Sequence, residues 1–245
     1  MRGVAKPAKT PEQIPVASRL IVALDVPDTA AAKRLVERLD DSVTFYKIGL
    51  ELAMSGEYFP LMRWLLDAGK QVFADLKFYD IPATVAAAVR QLADSGASFL
   101  TVHGDRAIME AAAAAKGDSL RVLAVTVLTS IGQQDLEETG IKISIEELAS
   151  LRARQAVNSG CDGIIASGLE VARLRALIGS DPLIVTPGIR PLKGRQLDDQ
   201  RRVVTPSEAM ASGADHIVVG RPIRAAEDPK GAASAIQAEI AAVFE

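Results

Sequence analysis

Short runs of aliphatic and β-branched residues alternate along the chain with longer stretches in which apolar residues recur every three or four positions. The short runs have the length of buried strands, and the longer stretches have the periodicity of amphipathic helices. The runs predicted as strands are residues 20–24, 44–48, 71–74, 99–102, 122–127, 163–166, 183–185 and 216–219. The clearest predicted helices are residues 30–39, 83–93, 145–158 and 232–243.

Eight strand–helix units in 245 residues predict an α/β fold with one (β/α)8 barrel, a TIM barrel. A doubly wound open sheet shows the same alternation, but no Gly-x-Gly-x-x-Gly turn follows the first strand. Residues 1–18 contain several Lys and Pro and no apolar segment, so they are interpreted as a flexible tail without a signal peptide. Residues 19–245 are then the catalytic barrel domain.

Composition and charge exclude several classes of function. Lys and Arg total 28 against 31 Asp and Glu, which argues against a nucleic-acid partner. One Cys and two His leave no Cys/His zinc site and no disulfide framework, so no metal is expected. No apolar run reaches the roughly 18 residues of a membrane span, and a single free thiol fits a reducing compartment. These features predict a cytoplasmic protein without a membrane partner.

Ionisable residues collect where the predicted strands end, which is where barrels of this kind carry their chemistry. Asp25, Lys47, Asp75 and Lys77 follow or end the first three strands, and Asp80 lies in the next loop. Any one of them alone is best explained as part of a neutral ion-pair plug. Because all of them are expected at the same rim of the barrel, we favour a catalytic role, in which their fixed electric field stabilises charge in a transition state. On a regular strand Asp75 and Lys77 would face the same side, and a lysine between aspartates stays protonated, as a proton donor must.

The ends of the last two strands have the character of a phosphate site. They read TPGIRP and VVGRPI, in which Gly188 and Gly220 let backbone N–H groups approach an anion and Arg221 adds a forked donor. The long polar loop 191–202 is interpreted as a lid, with Arg190 and Gln200 as gripping groups. Glycine turns with a surface arginine, and a merely solvated loop, are the alternatives.

Taken together, these motifs resemble the orotidine 5′-monophosphate decarboxylase family. The resemblance runs in order through ALDVPD, FYKIGLEL, DLKFYDIPAT, VTVLTS, TPGIRP, DQRR and VVGRPI, and it covers nearly the whole chain beyond the tail. The most specific part is Asp-x-Lys-x-x-Asp-Ile-Pro-x-Thr. Bacterial members often have Phe-His-Asp-Ile-Pro-Asn-Thr there, where this chain has Tyr79 and Ala83.

The resemblance implies a homodimer with active sites at the shared interface. Lys47, Asp75 and Lys77 would come from one subunit, and Asp80 and Thr84 from the other. The substrate-binding residues it implies are Asp25 and Lys47 at the ribose, Thr129 at the pyrimidine ring, and Arg190, Gln200, Gly220 and Arg221 at the 5′-phosphate.

The implied reaction converts orotidine 5′-monophosphate to UMP and carbon dioxide, the last step of de novo pyrimidine biosynthesis, with no metal or organic cofactor. Asp75 would lie against the leaving carboxylate. Lys77 would stabilise the carbanion at ring carbon six and then protonate it, while Lys47 and Asp80 would keep the array ordered.

The residues alone leave two other functions possible. A sugar-phosphate decarboxylase or aldolase-type barrel would hold magnesium at the strand ends, where Lys47 would repel it. A phosphate-ligand sensor would need no proton donor such as Lys77. His216 and Cys161 are interpreted as structural, and so, with less weight, is His103.

Overall fold

The structure, a computed structural model, describes residues 14–191 and 203–244. Within these residues, parallel strands close into a barrel in chain order, and the first strand pairs with the last. The strands are β1 (Leu20–Ala23), β2 (Phe45–Gly49), β3 (Gln71–Phe78), β4 (Phe99–Val102), β5 (Arg121–Val125), β6 (Gly163–Ile165), β7 (Leu183–Thr186) and β8 (His216–Val219). The predicted (β/α)8 barrel is confirmed, and the open sheet is excluded because the sheet is closed.

Helices precede the first strand, separate successive strands and follow the last one. They are α1 (Val16–Arg19), α2 (Thr29–Leu39), α3 (Leu50–Ala53), α4 (Tyr58–Asp67), α5 (Pro82–Asp94), α6 (Arg106–Ala115), α7 (Gln133–Glu138), α8 (Ile145–Asn158), α9 (Val171–Ile178), α10 (Pro206–Ala211), α11 (Arg221–Arg224) and α12 (Pro229–Ala241). The predicted helix 145–158 matches α8, which begins at a capping box of Ser144 and Glu147. The predicted helix 232–243 begins earlier, at Pro229, because Asp228 caps α12.

The barrel interior is layered along its axis. Alternate strand residues point inward, and three phenylalanines from neighbouring strands, Phe45, Phe73 and Phe99, form much of the inner core. Two positions further along the first two of these strands are Lys47 and Asp75. The same alternation that fills the core with aromatic rings therefore places a lysine and an aspartate directly above it, toward the carboxyl ends of the strands.

Strand β3 is irregular at the point where it carries charge. Its pairing with β4 runs from Ala74 opposite Leu100 to Phe78 opposite Val102, with a register shift between the two. Lys77 has a φ of 48°, in the left-handed region that non-glycine residues seldom adopt. The prediction of an extended backbone through Lys77 is therefore wrong, although the side chains of Asp75 and Lys77 still meet and line the same cavity. The strand also continues to Phe78, beyond the predicted end at residue 74.

The other end of the barrel is covered by α1. The His216 ring Nδ1 lies 2.8 Å from the carbonyl oxygen of Ser18, and His216 is buried at the start of β8. The described part of the predicted N-terminal tail, residues 14–18, includes the beginning of this helix, and residues 1–13 lie outside the described part of the chain.

In residues 14–191 and 203–244, no helix is both long enough and apolar enough to cross a membrane.

Candidate active site

A cavity of about 270 Å³ opens at the carboxyl ends of the strands. Side chains and loops from both halves of the barrel line it, as the position of functional groups in such barrels predicts. The predicted site residues among its lining are Asp25, Lys47, Asp75, Lys77, Thr129, Gly188, Arg190, Gly220 and Arg221. The structure thus brings together nine positions that are spread over most of the chain.

Four of these residues form one continuous chain of opposite charges. Lys47 Nζ lies 2.9 Å from Asp25 Oδ1 and 3.3 Å from Asp75 Oδ2. Lys77 Nζ lies 2.8 Å from Asp75 Oδ1. The side chains of Lys47 and Asp75 are only 10% and 14% exposed, whereas that of Lys77 is 32% exposed. The buried pair therefore holds a more accessible ammonium group at the cavity wall. We call Asp25, Lys47, Asp75 and Lys77 the charged array.

The two buried members of the array stabilise each other's ionised forms. Burial by itself would lower the pKa of Lys47, but the carboxylates of Asp75 and Asp25 outweigh it and raise that pKa. Burial would raise the pKa of Asp75, but the two ammonium groups and the hydrogen bonds from Lys77 and Thr101 lower it. Both groups are therefore charged at neutral pH, and the cavity contains a fixed field rather than a neutral pair.

Thr101 is a neighbour of the array that the sequence analysis missed. Its hydroxyl Oγ1 donates to Asp75 Oδ1 at 2.9 Å and accepts from the backbone N–H of Lys77 at 3.0 Å. Thr101 lies within β4 and not after its end, where the ionisable residues of the other predicted strands collect. A polar residue at an inward position of the otherwise apolar strand Phe-Leu-Thr-Val was the signal that would have found it.

The loop after β1 is held in place by the helix that follows the neighbouring strand β8. Arg224, at the end of α11, donates through Nη1 to the backbone carbonyl oxygen of Asp25. Arg224 also lines the cavity, so a cavity-lining side chain fixes the backbone that carries the Asp25 carboxylate.

The predicted anion end follows β7 and β8, beside the Asp25 end of the charged array, because β8 pairs with β1 and a Cβ at Gly220 would lie 3.7 Å from Asp25 Oδ2. Gly188 has a φ of 77°, which favours glycine, and the following turn brings the buried Arg190 to the cavity. Gly220 immediately precedes α11, and Arg221 is the first residue of that helix. Gln200 and the predicted lid beyond Pro191 lie outside the described residues.

Two predicted site residues do not lie at this cavity. Asp80 and Thr84 are exposed, on the loop after β3 and in the first turn of α5, and neither lines the cavity. The Asp80 carboxylate accepts from the backbone N–H of Ile81 at 2.6 Å. In the single chain neither residue makes a hydrogen bond or an ion pair with the charged array.

The remaining ionisable candidates have structural environments. Burial lowers the pKa of His216 to about 4 and raises the pKa of Cys161 to about 12, which fits the structural interpretation of both. His103 packs its ring against Tyr79 with centroids 5.0 Å apart, and burial, with Arg152 nearby, lowers its pKa. Within the described residues, no group of three or more His, Cys, Asp or Glu could hold a metal ion.

Fold and site together define the class: a (β/α)8-barrel enzyme with ionisable groups and an anion end at the carboxyl face. The model of the Orotidine 5'-phosphate decarboxylase / HUMPS family matches residues 18–236. The chain therefore belongs to this family, as the sequence motifs predicted.

Individual relatives agree over nearly their whole length. An orotidine 5'-phosphate decarboxylase from Methylococcus capsulatus is 57% identical over 231 residues, which cover 94% of this chain and 95% of the relative. One from Stenotrophomonas maltophilia is 53% identical, covering 92% and 94%. The crystal structure of orotidine 5'-phosphate decarboxylase from Lactobacillus acidophilus superposes with a TM-score of 0.80 at 37% identity, covering 91% of this chain and 99% of that one.

Proposed function

We propose that the protein decarboxylates orotidine 5′-monophosphate to UMP and carbon dioxide. The observation that carries this proposal is the charged array, in which a buried lysine and aspartate hold the Lys77 ammonium at the cavity wall. The names of the relatives, which span almost the whole chain, support the same substrate. We place the reaction in de novo pyrimidine biosynthesis in the cytoplasm.

The array has the parts that loss of carbon dioxide from a pyrimidine ring requires. Asp75 lies against the substrate carboxylate, so that repulsion between the two anions is relieved as the bond from ring carbon six to the carboxylate breaks. The electron pair stays on carbon six, carbon dioxide leaves, and Lys77 Nζ gives its proton to that carbon. The neutral Lys77 then regains a proton from solvent. No metal or organic cofactor enters this scheme.

Binding of the rest of the nucleotide follows from the layout of the cavity. Asp25 and Lys47 bind the ribose hydroxyls, and Thr129 contacts the ring. Arg190, Gln200, Gly220 and Arg221 hold the 5′-phosphate. Interactions with the phosphate, remote from the reacting carbon, provide binding energy that orients the ring against Asp75 and Lys77.

We further propose that the enzyme is a homodimer in which Asp80 and Thr84 enter the neighbouring active site. Both are exposed and lie away from the cavity of their own chain. Large apolar side chains more than half exposed follow the neighbouring strands β2 and β3, on the same side of the barrel: Leu50, Met54, Phe59, Tyr79 and Ile81. An apolar surface beside two isolated polar residues is what a shared interface would use.

The proposal is tested with purified protein, orotidine 5′-monophosphate and a chelator, following the change in pyrimidine absorbance. Wild-type protein should form UMP. Lys77→Ala should lose about 10²–10⁴-fold in kcat, the usual contribution of a positioned proton donor, and should still bind UMP. Lys142→Ala, which removes an exposed lysine that does not line the cavity, is the control and should behave as wild type.

Three results would contradict the proposal. Turnover that survives in Lys77→Ala would exclude that residue as the proton donor. Activity that the chelator abolishes would favour the magnesium-dependent barrel enzymes. Tight UMP binding without any turnover by the wild type would favour a sensor.

A further inference from the structure

We infer that Thr101 is a positioning residue for the charged array, because its hydroxyl fixes the Asp75 carboxylate and the Lys77 backbone in one arrangement. The inference rests on the proposed function, since it concerns the same site. Thr101 does not line the cavity and is 1% exposed, so it acts through its two neighbours and not on the substrate.

The irregular pairing of β3 creates the need for such a residue. Between the pairs Ala74–Leu100 and Phe78–Val102, three residues lie on β3 and only Thr101 lies on β4. The regular ladder is interrupted there, so the N–H of Lys77 is bonded by a side chain, the hydroxyl oxygen of Thr101 at 3.0 Å. A buried backbone N–H without a partner would be costly, and Thr101 removes that cost.

The same contact supports an unusual backbone conformation. Lys77 has a φ of 48°, which a side chain with a Cβ adopts only where its surroundings hold it. This conformation sets the direction from which the Lys77 side chain enters the cavity. Thr101 thus acts on the backbone of the proton donor in the proposed reaction.

The hydroxyl of Thr101 both donates and accepts a hydrogen bond within the site. Its single proton is donated to Asp75 Oδ1 at 2.9 Å, while its lone pair receives the Lys77 N–H. Asp75 Oδ1 also binds Lys77 Nζ, and Oδ2 faces Lys47. The carboxylate that the reaction places against the substrate therefore has its orientation fixed by Thr101 as well as by the two lysines.

The decisive variant is Thr101→Val, which keeps the shape of the side chain and removes both hydrogen bonds. We expect kcat to fall about 10–100-fold, the range seen when a residue that orients a functional group is lost. UMP affinity should change little, because the contacts that bind nucleotide remain. The acid limb of the kcat profile should move to higher pH, since one of the bonds that lower the pKa of Asp75 is gone. Thr101→Ser keeps the hydroxyl and should recover most of kcat.

Thr126→Val provides a matched control. Thr126 is a buried threonine immediately after the neighbouring strand β5, and its hydroxyl donates to the carbonyl oxygen of Ile165 at 2.9 Å. It makes no contact with the charged array in the described structure, so this variant should lose stability without moving the pH profile. An equal loss of kcat in Thr101→Val and Thr126→Val, or a failure of Thr101→Ser to recover kcat, would overturn the inference.

A measurement without turnover separates this inference from the proposed function. Hydrogen exchange at the Lys77 amide should be faster in Thr101→Val than in wild type and close to wild type in Thr101→Ser. Unchanged exchange in Thr101→Val would overturn the positioning role. If exchange responds as expected but wild-type protein does not decarboxylate the substrate, the proposed function fails while the structural role of Thr101 stands.

Discussion

Gly49, the last residue of β2, leaves open the space into which the Lys47 ammonium fits. Its backbone, with φ of −115° and ψ of −161°, is extended and would accept any residue. A Cβ at this position would lie 3.3 Å from Lys47 Nζ and 3.7 Å from Asp25 Oδ1. Space beside the charged array, and not backbone freedom, is therefore the reason for a glycine here.

Gly49→Ala is expected to lower kcat/KM and weaken UMP binding without weakening the fold. The added methyl group would require the Lys47 ammonium to move by a few tenths of an ångström, which disturbs its contacts with the carboxylates. A strand alanine is more stable than a glycine by about 0.5–1 kcal/mol, which offsets the crowding. Kinetics, titration with UMP and denaturant unfolding measure the three quantities.

A double-mutant cycle identifies the cause of that loss. In a Lys47→Ala background the methyl group has no ammonium to displace, so Gly49→Ala should cost no further UMP affinity. An equal loss in both backgrounds would mean that Gly49 leaves space for the ligand and not for Lys47.

At the scale of elements, the sequence predicted the strands well and their irregularities poorly. Alternation of short apolar runs and helical stretches was enough to find all eight strands, and residues 99–102 and 216–219 match β4 and β8. It was also enough to place Asp25, Lys47, Asp75 and Lys77 at one rim, because parallel strands in a barrel share a carboxyl end.

The bulge of β3 could not be predicted in the same way. A two-residue period assumes a regular strand, whereas the backbone of Lys77, with a φ of 48°, donates its N–H to Thr101 on β4, which is distant in sequence. The role of Thr101 could not be predicted for a related reason, because it depends on contacts between β4 and the neighbouring strand β3. The separation of Asp80 and Thr84 from their own cavity entered through the family resemblance and not through any pattern in the chain.

At the opposite end of the barrel, α1 and β8 are joined by a histidine whose protonation opposes folding. His216 contacts the rings of Phe45 and Phe99, and its Nδ1 lies 2.8 Å from the Ser18 carbonyl. Burial lowers its pKa from 6.5 to about 4, although the Ser18 contact acts the other way. Between pH 6.5 and about 4 the unfolded chain binds a proton at this histidine that the folded chain does not. The free energy of unfolding therefore decreases as the pH is lowered through this range.

His216→Asn should therefore flatten the dependence of stability on pH. Over the window from pH 6.5 to 4 the histidine accounts for a loss of about 3 kcal/mol, from the difference between its folded and unfolded pKa. Denaturant unfolding at several pH values measures the slope for wild type and variant. His103→Asn, at the only other histidine, is only partly buried and should keep most of the slope. If the free energy of unfolding depends on pH equally in wild type and in His216→Asn, His216 is not the cause of that dependence.

At the scale of the whole molecule, the proposed dimer divides each active site between two chains. The charged array belongs to one chain, and Asp80 with Thr84 belongs to the other. Lys77→Ala and Asp80→Asn should each retain no more than a small residual activity alone, but mixing them under conditions of subunit exchange should restore activity. Half of the dimers then contain one of each chain, and one of their two sites is intact, so about a quarter of wild-type activity is expected.

The matched control mixes variants of two residues that the same subunit contributes to an active site. Mixing Lys77→Ala with Asp75→Asn leaves every site with one defect, because both residues lie in one charged array at 2.8 Å. No activity should return in that mixture. Recovery in both mixtures, or in neither although mass measurement proves that subunits have exchanged, would mean that Asp80 does not cross the interface. Recovery in the first mixture alone requires that Asp80 of the partner subunit completes the site, since only a residue supplied from the other chain can be replaced by mixing.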